Sequence, residues 1–171
     1  MIIATALGIL LEGKTANVVN EGTPENGRQI YFHYGDQKEL LQWIKARGNL
    51  GKYPLVWYVL NDYQIEGEWY IVNAKVVIMQ HSKGDPLNNW RQSNSYVGII
   101  NPVTKVFEAA MINKHVIIPV NGFSYKDEPN YGVNDNGDLQ SPSSDKGIST
   151  DIVDARVIRF DLRIKAECII N

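Results

Sequence analysis

Residues 157–168 read Val-Ile-Arg-Phe-Asp-Leu-Arg-Ile-Lys-Ala-Glu-Cys, and their alternation decides the fold class. Ile158, Phe160, Leu162, Ile164, Ala166 and Cys168 share one side, and Arg159, Asp161, Arg163, Lys165 and Glu167 the other. A period of two is that of a strand with one buried face. The pattern predicts a strand at one edge of a core sheet packed under helices. Its charged face meets either water or the charges of a neighbouring subunit.

Other strands follow from composition. Tyr53 to Leu60 is rich in β-branched and aromatic residues and too short for a core helix, with Pro54 near its start. Trp69 to Gln80 holds a Val-Val-Ile-Met centre that reads as buried on both faces, and the two runs are expected to be neighbours joined by a turn over Asn61 to Gly67. Ile30 to Tyr34 is a shorter strand, and His115 to Val120 another, closed by Pro119.

The best-specified helix runs from Asp36 to Arg47. Asp36 can cap the free amides of the first turn, Glu39 stands three residues on, and Leu40, Leu41 and Ile44 recur at helical spacing before Gly48. A second helix is placed over Pro102 to Ile112, with Asn101 as N-cap and a possible backward extension through Tyr96 to Ile100 kinked at Pro102. Ile2 to Leu11 is apolar without periodicity and is read as a short helix. The Gly/Pro/Asn-rich stretch from Asn20 to Arg28 predicts a surface loop, and so does the polar stretch from His81 to Ser95. Residues 122–150 carry four glycines and two prolines among many Asn, Asp and Ser. They are expected to form a long loop or arm that buries no core and orders on a partner. Deleting Asp127 to Lys146 would then leave the fold intact.

The chain has 171 residues, 44% apolar and 21% charged, with a formal net charge of −2. That predicts one α+β domain over residues 1–171: a mixed, mostly antiparallel sheet with helices on one face. The near-neutral charge speaks against a general nucleic-acid binder. Cys168 is the only cysteine, so an intrachain disulfide or a cysteine zinc cage is excluded and a reducing compartment such as the cytoplasm is expected. The apolar start lacks a basic flank and a cleavage pattern, and it ends at Glu12, short of a membrane span.

No phosphate-cradling glycine motif, nucleophile elbow, zincin helix or EF-hand is present in the sequence. Asn134 to Asp138 clusters oxygen ligands without the downstream bidentate Glu, which fits a solvated turn better than a calcium site. No catalytic residue, metal ligand or cofactor is therefore assigned. Trp43, Trp57 and Trp69 read as core, whereas Trp90 beside Arg91 in a polar stretch reads equally as an interface anchor. Tyr125, Tyr131, Arg159, Asp161, Arg163, Lys165 and Glu167 complete the interface candidates.

The phrases Tyr31-Phe32-His33-Tyr34-Gly35-Asp36 before the Glu39-Leu40 helix, and Lys52-Tyr53-Pro54-Leu55-Val56-Trp57 opening a strand, carry a resemblance. So do Trp90-Arg91, the helix through Pro102 and Phe107, and Asp154-Ala155 before the final strand. Over most of residues 30–171 the chain resembles the tail-terminator and head-to-tail joining proteins of tailed bacteriophages. The resemblance implies a virion protein of the neck or tail, assembled in the host cytoplasm and not an enzyme. It would form a homo-oligomeric ring, hexameric or dodecameric, between portal or connector and tail proteins. DNA would pass through its lumen without sequence-specific binding, and no membrane would be involved. Two other classes stay open: a small hydrolase using His33, His81 and an acid such as Asp62 or Asp85, and a ligand-binding module with a Trp-lined pocket.

Overall fold

The computed structural model describes residues 2–45, 53–82, 88–112, 117–131 and 153–165. Its centre is a mixed sheet with strands ordered β3 (Tyr31–Gly35), β4 (Leu55–Val59), β6 (Trp69–His81), β8 (Val153–Lys165) and β7 (Ile117–Glu128). A short β5 (Gln64–Glu66) pairs with the start of β6, inside the stretch expected to be a plain turn. Among the described strands only β3 and β4 run parallel, and every other pair in the sheet is antiparallel. The α+β class and the mostly antiparallel mixed sheet are as the sequence predicts.

The position of β8 is a correction. It lies between β6 and β7 and pairs with β6 along its whole length, so it is an interior strand and not an edge. The sequence hid this because β7 was divided at Pro119. The structure carries β7 on through Pro119 and a bulge at Asn121 and Gly122, both at positive φ, to Glu128. An edge strand tolerates both features. The predicted arm is thus shortened at its front: residues 122–128 are strand, Phe123 meets Phe160 edge to face, and Tyr131 is buried. Residues 132–152 lie outside the described set. Deleting Asp127 to Lys146 would remove a buried side chain and the end of a paired strand, so that deletion is expected to destabilise the fold.

The central strands β4, β6 and β8 have two covered faces over part of their length. On the first face, Val56, Tyr58, Val76, Ile78, Ile158, Phe160, Leu162 and Ile164 pack against α1 (Ile2–Leu11) and against the helix that contains Ile99, Ile100, Val103, Phe107 and Met111. On the second, Leu55, Trp57, Val59, Val77, Met79, Val153, Ala155 and Val157 pack against Leu40 and Ile44 of α2 (Gln37–Lys45) and against Tyr131. The helices therefore occupy both faces, which corrects the one-sided expectation. VVIM is buried on both sides for this reason.

The α2 N-terminus forms as its sequence directs. Asp36 Oδ1 accepts from the Glu39 amide at 2.7 Å, and Glu39 Oε2 accepts from the Asp36 amide at 2.7 Å. This is a reciprocal capping box. The Ile2–Leu11 helix also stands as read.

Two predicted loops are ordered elements. Residues 20–28 belong to a hairpin of β1 (Thr15–Asn20) and β2 (Thr23–Gln29), turning at Glu21 and Gly22, both at positive φ. Two such residues make the turn whose twist suits a hairpin. The Gly, Pro and Asn content that suggested a loop supplies the turn, a bulge at Gly27 and a Pro on a two-stranded edge.

The second is the stretch from 88 onward. A short α3 (Asn88–Trp90) leads into a π-helix (Arg91–Ile100), which continues into α4 (Asn101–Ile112). Asn101 is consequently mid-helix, not a cap, and its amide donates to the Tyr96 carbonyl five residues back. Pro102 follows at once. An α-helix would need its missing amide at Gly98 and would press its ring on that carbonyl, and the wider π turns precede this position. The start of the helix reads as polar because Gln92 and Ser93 point to solvent while Arg91 and Ser95 are buried polar groups.

Candidate functional site

α2 covers only one end of the second sheet face. Its limit is marked by Lys75, whose Nζ donates to Gln37 Oε1 at 3.0 Å. Beyond it, Trp69, Ile71 and Asn73 of β6 alternate outward beside Arg159, Asp161, Arg163 and Lys165 of β8, register partners rung by rung. None of the described elements lies over them.

This half-face is cationic. Asp161 is fully engaged, accepting from Asn73 Nδ2 at 2.9 Å and from Asn121 Nδ2 at 3.3 Å. Lys165 sits 5.3 Å from the centre of the Trp69 ring and 3.6 Å from Glu68. Arg159 and Arg163 are exposed and have no ion-pair partner among the described residues. Burial, with the nearby charge of Arg159 adding to it, pulls the Lys75 ammonium below the usual lysine range. Four predicted candidates, Arg159, Asp161, Arg163 and Lys165, are thus brought together; Glu167 lies outside the described residues, as do Cys168, His115 and Asn134 to Asp138.

A second polar locus lies on the first face, between α4 and β7. Arg156 grips Asp127 through two bonds of 2.6 and 2.9 Å and donates to Asn101 Oδ1 at 2.7 Å. Its guanidinium lies 5.9 Å from the centre of the Tyr125 ring, and the Tyr125 hydroxyl donates to Glu108. Together with Thr104 and Lys105 these side chains line a groove of about 360 Å³. Burial and the bonded Glu108 carboxylate push the Tyr125 hydroxyl up to about 12. Tyr125 is a predicted candidate placed here, apart from the β8 charges.

Behind the groove, Arg91 donates to Asn130 Oδ1 at 2.6 Å and lies 3.4 Å from the buried Asp154. Arg91 is 8% exposed and Tyr131 6%, so both serve the interior of the subunit and neither is a surface anchor. Tyr131 meets Gln37 across the second face, accepting from its Nε2 at 3.1 Å. Trp90 is half-buried at the head of the π-helix. Arg156 and Asp154 escaped the sequence reading, although one signal was present: both are polar residues at positions whose parity places them on the apolar face of β8.

His33 packs against the rings of Trp43 and Trp57, at 4.4 and 4.9 Å between centres, and burial lowers its pKa. His81 lies near Tyr53, two strands over and four residues further along, about 16 Å away by sheet spacing. The structure does not bring these two together, and Asp62 is exposed in the turn before β5. Asp85 is outside the described residues. Among the described residues, no group of three or more His, Cys, Asp or Glu is arranged to hold a metal, and no helix is long and apolar enough to cross a membrane. No protein-family model matches the chain, and no curated protein matches it.

Proposed function

We propose that this chain is a structural ring subunit, the tail terminator or head-to-tail connector of a tailed bacteriophage. The observation that carries the reading is the half-face left uncovered by the described elements, where Arg159 and Arg163 have no ion-pair partner among the described residues, on an interior strand beside Trp69 and Ile71. Apolar and aromatic side chains interleaved with arginines have the composition of an interface core. The bacteriophage assignment itself rests on the resemblance carried by residues 31–36, 52–57, 90–91 and 154–155. In such a ring each subunit presents one surface to a different surface of the next, so a charged patch finds its complement by rotation. Portal or connector protein would stack on one side of the ring and tail protein on the other. DNA would pass through the lumen, held by no base-specific contact.

Native mass spectrometry of the purified chain, with negative-stain imaging, tests this. A single closed species of six or twelve copies is the expected result. A chain that stays monomeric, and does not join purified portal or tail-tube protein, would overturn it.

The groove between α4 and β7 favours a second reading, a small-ligand module. Its polar lining of Asn101, Thr104, Lys105, Glu108, Tyr125 and Arg156 fits a compact polar molecule. A thermal-shift screen of such molecules that leaves the midpoint unmoved would remove this reading.

A further inference from the structure

The two edges of the sheet are matched. Following the register across it, Tyr31 lies level with Leu55, Met79, Ala155 and Glu128, and Gly35 with Val59, Lys75, Arg159 and Ser124. Residues 31–35 of β3 and 124–128 of β7 are thus two five-residue edges at one height. β3 runs parallel to β4, and three antiparallel steps then lead to β7, so the two edges run in opposite directions.

Their open backbone groups also match. The Tyr31 amide donates to Pro54, and the Gly35 carbonyl accepts from the Leu60 amide. In a parallel pair this fixes Tyr31, His33 and Gly35 as the residues bonded to β4, and it leaves the N–H and C=O groups of Phe32 and Tyr34 pointing outward. Carrying the same alternation through β4, β6 and β8 turns Ser124, Lys126 and Glu128 inward to β8 and leaves Tyr125 and Asp127 pointing outward.

The edges differ in how they are guarded. The first part of β7 carries Pro119 and the bulge at Asn121 and Gly122, devices that stop pairing. Only residues 124–128 are regular. β3 reads Tyr-Phe-His-Tyr-Gly, with neither Pro nor Lys, and no described element pairs with its outer side.

We infer that β3 of one copy pairs antiparallel with residues 124–128 of β7 in the next copy, closing the ring through a continuous sheet. This rests on the ring reading above and adds to the half-face contact a backbone contact between sheet edges. Phe32 and Tyr34 exchange backbone bonds with Asp127 and Tyr125, and His33 stands opposite Lys126 in the pair without bonds. Side chains keep their faces across the joint. Tyr34 and Tyr125 meet on the first, and Tyr31 and Glu128 on the second. The Tyr125 ring, 48% exposed in the single chain, is covered by the neighbour. Pairing in this register leaves no rise from copy to copy, so the assembly closes instead of extending as a filament.

The test uses His33→Cys with Lys126→Cys in a Cys168→Ser background, because side chains in the pair without bonds approach closely enough for a disulfide. Non-reducing gels are expected to show a ladder ending at the ring's copy number, while each single-cysteine variant stays one chain in size. On the unmodified chain, hydrogen exchange is expected to slow at least tenfold at the Phe32, Tyr34, Tyr125 and Asp127 amides when the ring forms. A ring seen by native mass spectrometry with neither the ladder nor that protection would overturn the edge pairing and leave the ring reading standing. A chain that forms no ring at any concentration or with its partners would overturn both.

Discussion

Arg91 Nε lies 3.4 Å from Asp154 Oδ1, joining the first turn of the π-helix to the start of β8, and the Asp154 side chain is wholly buried. Among the described residues neither Asp154 oxygen has a hydrogen-bond partner, so charge attraction to Arg91 is its compensation. Removing one member of such a pair strands the other charge in the interior. Asp154→Ala and Arg91→Ala are each expected to cost about 3–5 kcal/mol in urea unfolding. Arg91→Met combined with Asp154→Leu is expected to cost less than either single change. A double variant as unstable as the sum of the two would show that they act independently.

Gly98 is where the π-helix touches β1. A Cβ there would run into the Val19 carbonyl oxygen, a backbone atom that cannot step aside as a side chain can. Gly98→Ala is expected to lose about 3 kcal/mol, at the upper end of overpacking costs, despite alanine's better helix propensity. The urea midpoint measures it, and an unchanged or raised midpoint would refute the close approach.

Alkaline pH is expected to unfold the chain through its tyrosines. Burial pushes Tyr58 up to about 12, Tyr125 reaches about 12 with Glu108 contributing, and burial raises Tyr96 further. Their unfolded value is about 10. The stability from keeping these hydroxyls neutral is complete below pH 10 and is lost as pH rises toward 12, because only the unfolded chain releases the protons there. Tyrosinate absorbance should lag behind that of the denatured chain and then rise together with the loss of circular dichroism. Tyr58→Phe should reduce the slope of stability against pH in that window.

Reversing Arg159 and Arg163 to Glu tests the half-face. Both are exposed and unpaired among the described residues, so the monomer's stability is expected to change by less than about 1 kcal/mol. Assembly measured by native mass spectrometry is expected to fall at least tenfold. Normal assembly of the reversed chain would remove the half-face from the subunit contact.

The sequence made some elements legible for local reasons. Asp36 and Glu39 specify a helix start by themselves, and the alternation of Ile158 through Lys165 specifies one strand and its two faces. What it hid was long-range. β8 is interior because β7 pairs with it, and Pro119 with Asn121 and Gly122 made β7 look finished after a few residues. The π-helix was hidden by polar side chains that are either solvated or, like Arg91, buried with partners brought from distant parts of the chain. For the candidate site, the charges on β8 could be named from parity alone, whereas their exposure depends on where α2 stops. Arg156 could be recognised only after Asp127 and Asn101 had been placed beside it.

The strand order also sets a timetable for synthesis. β6 is complete at residue 81, yet one of its edges receives no partner until residues 153–165 have been made, and β7 in turn waits for the same segment. For the span of some seventy residues a thirteen-residue strand with a Val-Val-Ile-Met centre has one unsatisfied side while the ribosome moves on. Late, long-range pairing of this kind slows folding and invites contact with other nascent copies. A cell that makes many copies at once therefore has reason to shield this chain until β8 emerges, and chaperone dependence during expression, relieved when β8 is supplied in trans as a peptide, would be its signature.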